Sequence, residues 1–186
     1  MVELLVVISI MVFIVSITIV YSGQGRNQVA LTVESAKVAG LIMQAKQLAI
    51  ATYGVGATLS CGYGMYFDEK NQDYSLFIYS PKGATVCPGI TTIESSTWKW
   101  STDDMVEYSA EAWDVPLARG LVLATSSANP DAEVVLFYPP NPVTLMVRAS
   151  DGVHFETAAP SFVNIQTVDG LASSSISISP AGQVNF

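Results

Sequence analysis

The sequence predicts an α+β protein, a long N-terminal helix packed on an antiparallel β-sheet head. Three observations carry that reading. An apolar run opens the chain, a helical amphipathic stripe follows it directly, and a series of short alternating or apolar runs then continues to the end, separated by turn residues. The boundaries fall near residues 25 and 56. Residues 1–25 form the apolar part of the helix, 26–56 its amphipathic part, and 57–186 the β-rich head.

The first element is set by the run from Leu4 to Val20, which only Ser9, Ser16 and Thr18 interrupt. As a helix, residues 2–22 rise about 1.5 Å each, roughly 30 Å in all, which matches the hydrocarbon core of a bilayer. Its richness in Val and Ile does not count against helix, because in lipid the backbone must satisfy its own hydrogen bonds. A cleaved secretory signal would carry a basic flank and a shorter apolar core. Neither is present here. Glu3 stands at the edge of the run, and the next charged residue is Arg26. A carboxylate costs at least a few kcal/mol in hydrocarbon. It must therefore stay at the interface, as a snorkelling side chain, or find a cationic partner.

The helix continues through Gly23 and Gly25, each about 1 kcal/mol less favourable than alanine in a helix. Their place at the end of the apolar run marks a hinge. From Asn27 the pattern is amphipathic, with Val38, Leu41, Ile42, Ala45, Leu48 and Ala49 on one stripe. Glu34, Lys37, Gln44 and Lys46 lie off that stripe, and Glu34 and Lys37, three apart, form a surface pair. Gly54 and Gly56 end the helix.

The strands follow. YGMYFD and YSLFIYS form a hairpin around EKNQD. VEYSA alternates Val106, Tyr108 and Ala110 against Glu107 and Ser109. GLVLAT, EVVLFY, VTLMVRA, FVNIQTV and SISIS read as further strands, with SSANPD, PPNP and SPAG as turns. SISISPAGQVNF is a closing hairpin.

Val2, Glu3, Leu4 and Leu5, with the apolar run behind them, resemble the N-terminus of mature type IV pilins and pseudopilins. In that family a V-E-L-L-like sequence opens the filament-forming helix. The order YGMYF, YSLFIYS and a terminal ISPAGQV is similar to the minor-pseudopilin subgroup of type II secretion and fimbrial assembly. The likeness covers residues 2 to about 50 in detail and the head only in theme. Met1 stands where the family has leucine, so a leader and two mature residues are expected upstream, with a leucine codon read as the start.

The resemblance implies a structural subunit, stored in the inner membrane as a single-pass protein with an extracytoplasmic head. It assembles through its helix into a cell-surface or periplasmic filament. Glu3 then faces the N-terminal amine of a neighbouring subunit. The expected partners are other pilin or pseudopilin subunits, the inner-membrane assembly machinery and the membrane itself. The alternative is a membrane-anchored extracytoplasmic binding protein that never polymerises. Secretion, DNA uptake, adhesion and motility stay open as roles of the filament. Export also brings Cys61 and Cys87 into an oxidising compartment, where they are expected to pair. Closing that loop contributes about 3–4 kcal/mol in the chain-entropy model. Two free thiols are the alternative.

Enzymatic chemistry finds no foothold. His154 is the sole histidine, no G-x-S-x-G elbow occurs, and no Walker or dinucleotide glycine loop is present. Two cysteines and one histidine do not make a four-ligand zinc site. No metal or cofactor is expected. Two oxygen-rich stretches, Asp68, Glu69, Asn71 and Asp73, and then Asp103, Asp104, Glu107, Glu111 and Asp114, lack EF-hand spacing and read as solvated surface. The net charge is −8, and no block of Lys or Arg provides a nucleic-acid footprint.

Overall fold

The computed structural model describes residues 2–51, 60–89, 101–124, 132–139, 143–148, 155–156 and 160–186. Side chains at 18–24, 110, 148 and 155–156 are outside the description. The order is α1 (Val2–Ala51), β1 (Gly62–Asp68), β2 (Asp73–Tyr79), β3 (Met105–Glu107), β4 (Val115–Pro116), β5 (Leu121–Leu123), β6 (Ala132–Tyr138), β7 (Val143–Arg148), β8 (Phe155–Glu156), β9 (Ser161–Thr167), β10 (Ser173–Ile178) and β11 (Val184–Asn185). Short 3-10 turns cover Thr102–Asp104 and Ala110–Ala112. The class is α+β, and among the described residues every strand pairing is antiparallel.

Among the described residues the strands form two sheets. One runs β3-β2-β1-β6-β7-β8, with β4 also on β2; the other runs β11-β10-β9-β5. The predicted first hairpin is present in full register, from Gly62 opposite Tyr79 to Asp68 opposite Asp73. The closing hairpin is present as well. Ser179 N–H donates to Gln183 O at 2.9 Å, and Gly182, at φ +68, takes the left-handed conformation the turn requires.

Residues of the larger sheet are buried on both faces, which explains why EVVLFY and SLFIY read as continuous apolar runs. Tyr63, Met65, Tyr74, Leu76, Val135 and Phe137 share one core with Val38, Ile42, Ala45 and Ala49 of α1 and with Val163, Ile165, Ile176 and Ile178 of the smaller sheet. Phe77, Tyr79, Val134, Leu136, Leu145 and Val147 form a second core on the opposite face, together with Cys61. Leu41 and Leu48, at the margin of the helical stripe, are partly buried.

Three sequence expectations need correction or restriction. VEYSA is strand only as far as Glu107; Ser109 then leads into a 3-10 turn whose Ala112 N–H donates to Ser109 O at 3.0 Å. Glu34 is no surface residue. It is buried, because position 34 lies one helical turn before Val38 and so falls on the sheet-facing stripe. Gly54, Gly56, the SSANPD turn, most of PPNP and His154 lie outside the described residues.

Candidate functional site

α1 divides by environment. Every described side chain from Val2 to Ile17 is exposed, including Leu4, Leu5, Ile8, Met11, Phe13 and Ile14. The apolar residues lie all round the helix, so no face is left to shelter them against the head. Glu3, also exposed, is the one acidic residue of this stretch. Described side chains of the run stop at Ile17, and among the described residues no helix is long and apolar enough to cross a membrane. Gly23 and Gly25 both fall within the helix, and a Cβ at Gly25 would meet nothing within 4 Å.

Beyond Arg26 the helix meets the head, and polar side chains fix it there. The Tyr74 hydroxyl donates to Glu34 Oε1 at 2.7 Å. Burial, then the Glu34 carboxylate beside it, pushes the Tyr74 phenol far above its usual range. Lys37 Nζ lies 3.8 Å from Glu34 Oε1 and 5.4 Å from the centre of the Tyr74 ring, so one cation serves both the carboxylate and the ring face. At the other end Lys46 Nζ donates to the carbonyls of Ala181 and Gly182, at 3.1 and 3.0 Å. The turn of the closing hairpin is thereby fastened to the helix. Lys46, placed off the apolar stripe by the sequence, belongs to the helix–head contact.

The two acidic stretches are used within the fold. At the hairpin tip, Asp68 accepts from the backbone N–H groups of Lys70 and Asn71 and from the Asn71 side chain. In the second stretch, Asp104 accepts from Lys82 N–H, Asp103 pairs with Lys82 Nζ at 3.0 Å, and Asp114 exchanges hydrogen bonds with Ser75. Among the described residues no group of three or more His, Cys, Asp or Glu side chains is placed to hold a metal ion.

Glu133 joins the hairpin tip, an association no sequence pattern signalled. A register irregularity between Ala132 and Val134 disturbs the β6–β7 ladder at this position. With Tyr66, Asp68, Glu69 and Lys70 it lines a shallow cleft of about 320 Å³. Burial, followed by the Glu69 and Asp68 charges, raises the Glu133 carboxyl. Burial, followed by Asp68, Glu133 and Asp73, pushes the Tyr66 phenol up to about 12.

Gln72 is the other residue missed. At φ 60 it occupies a conformation few side chains favour. Its amide accepts from Leu123 N–H at 2.6 Å and donates to Glu69 O, and its own carbonyl accepts from Leu117 N–H at 3.1 Å. One side chain thus ties the first hairpin to the smaller sheet.

Cys61 and Cys87 form a disulfide, with Cα atoms 5.3 Å apart and a sequence separation of 26. It closes the loop that contains the first hairpin. Nearby, the Tyr138 hydroxyl donates to Pro88 O. No protein family, curated protein or solved structure matches the chain.

Proposed function

We propose that this chain is a structural subunit, a minor one, of a type IV pilus or type II secretion pseudopilus. It is held in the membrane by the apolar part of its N-terminal helix and assembles through that part. The reading treats α1 as one long helix with two tasks, in which the amphipathic part anchors the head and the apolar part is reserved for membrane and neighbours. The observation that carries it is the contrast within α1. Val38, Ile42, Ala45 and Ala49 are fully sealed in the head core, whereas the large apolar residues from Val2 to Ile17 are all exposed. So much contiguous apolar surface is not left in water by a soluble monomer. The position of Glu3 at the start of that surface supports assembly, since it offers a carboxylate to a neighbour's amine in a setting where charge-assisted contacts are strong.

The test is Glu3. Expressed from its own locus, Glu3→Gln keeps size and hydrogen-bonding capacity but loses charge, and an unpaired ammonium would remain in the bundle. Glu3→Gln and Glu3→Ala should both deplete the subunit from sheared filaments and leave it in the membrane, while Glu3→Asp should retain part of the incorporation. Incorporation of the glutamine variant at the wild-type level would remove the physical basis of this reading. The rival, a binding protein that never polymerises, predicts that even the wild-type chain is absent from the sheared fraction.

A further inference from the structure

The outer face of the smaller sheet carries no charge. Alternation in β9 turns Val163, Ile165 and Thr167 into the core and leaves Phe162, Asn164 and Gln166 half-buried on the other side. The register lays three rows across that side. Gln166 stands opposite Val122 on one flank and Ser173 on the other, and Asn164 stands opposite Ser175. Phe162 stands opposite Ser177, which in turn faces Asn185. Ser173, Ser175 and Asn185 are exposed. About 25–35% of a protein surface is ordinarily charged, so eight such positions would hold about two or three charges. These rows hold none, in a chain whose net charge is −8. From Pro160 to Phe186 the one charged residue is Asp169, in the β9–β10 turn beyond the rows.

We infer that this face binds a neutral polysaccharide. The chemistry of the rows selects that partner over other macromolecules. Nucleic acid is held by Lys and Arg, which are missing here. A lipid surface takes exposed large apolar side chains, and the two on this face, Val122 and Phe162, are half-buried. The core of a protein interface is poor in serine and rich in aromatic residues, Met and Arg, the reverse of three serines and one ring. What remains is a partner rich in neutral hydroxyl groups. Ser hydroxyls and the Asn and Gln amides both donate and accept hydrogen bonds, as sugar hydroxyls do. The Phe162 ring supplies an apolar surface for the C–H side of a sugar. The strand pairings repeat these groups from row to row, so successive units of one extended chain meet similar chemistry. The inference goes beyond the filament reading and does not depend on it.

Co-sedimentation of the full-length chain tests the inference, in a detergent without a sugar headgroup. The probes are four insoluble neutral polysaccharides (a β-glucan, a mannan, a xylan and chitin) and one anionic polymer, a polygalacturonate gel. The chain should be retained by at least one neutral polymer and not by the anionic one. Retention should be unchanged between about 0.1 and 1 M salt, because no charge takes part. Ser175→Glu, which places a charge on an exposed position, should weaken binding roughly tenfold, and Asn185→Ala should weaken it in the same direction. Gln47→Glu, on exposed α1 surface away from the rows, should bind as wild type. Equal melting temperatures for wild type and variants keep a folding defect from passing as lost binding. Retention by none of the four neutral polymers, salt-sensitive retention, or equal retention of the Ser175 and Asn185 variants would overturn the inference. So would an oligomer of the wild-type chain that Ser175→Glu dissociates, since the face would then belong to a contact between copies.

Discussion

At the scale of single residues, Glu34 shows how a sequence conceals its own packing. Its charge suggests solvent, but its position, four residues before Val38, assigns it to the buried stripe. Only the partner's location across the core was unreadable, since Tyr74 lies forty residues away. Removing the phenol oxygen takes a hydrogen-bond donor from a buried carboxylate and leaves Lys37 Nζ beside it at 3.8 Å. Tyr74→Phe should therefore lower stability by about 1–3 kcal/mol, read as a fall in denaturant midpoint at unchanged slope.

Glu133 gives the opposite sign. Its carboxyl is raised in the fold, so the folded state binds more protons than the unfolded chain in the acid range. Its contribution is most favourable below the unfolded pKa and is lost as pH rises through the folded one. At pH 7 the charge is a burden, and Glu133→Gln should raise the melting temperature. The advantage should shrink on acidification through the carboxylate range and vanish once both forms are neutral. A variant no more stable than wild type at pH 7 would contradict the assignment of like-charge crowding at the hairpin tip.

At the scale of elements, strand positions were largely legible because alternation and turn residues are local signals. The first and last hairpins follow directly from EKNQD and SPAG. VEYSA misled because alternation over five residues also suits a short strand followed by a tight turn. The role of Gln72, joining a hairpin to a strand fifty-one residues on, has no local signature at all.

Two predictions belong at this scale. A Cβ at Gly64 would lie 2.6 Å from the Val135 carbonyl oxygen and from the Phe77 ring. Gly64→Ala should cost about 1–3 kcal/mol through overpacking between β1, β2 and β6, measurable by thermal melting. The disulfide closes a 26-residue separation, worth about 3.5 kcal/mol in the chain-entropy model. Replacing Cys61 and Cys87 together by serine should lower the melting temperature of the head, and protein denatured without reductant should release no free thiol.

For the molecule as a whole, the α+β plan with antiparallel sheets was visible in the order and period of the sequence. How the smaller sheet closes over the helix was not, because that depends on contacts between the two ends of the chain. A fragment that begins at Asn27 keeps the docked stripe and should remain in solution with a cooperative unfolding transition and an intact disulfide. Aggregation of that fragment would place the division of α1 elsewhere.

The clasp between Lys46 and the turn at Ala181 and Gly182 bears on how the chain reaches its native state. The helix is synthesised first, but Ile176, Ile178 and the carbonyls that hold Lys46 come almost last, more than 130 residues later. Contacts of such separation require loop closure before they contribute, and they slow folding. β1 and β6 can reach the sheet-facing side of α1 earlier, but the ribosome must nearly finish before that side is fully covered. Until then part of the stripe is bare, and a nascent chain of this design depends on some other surface, lipid or chaperone, to shield it while the end of the chain emerges.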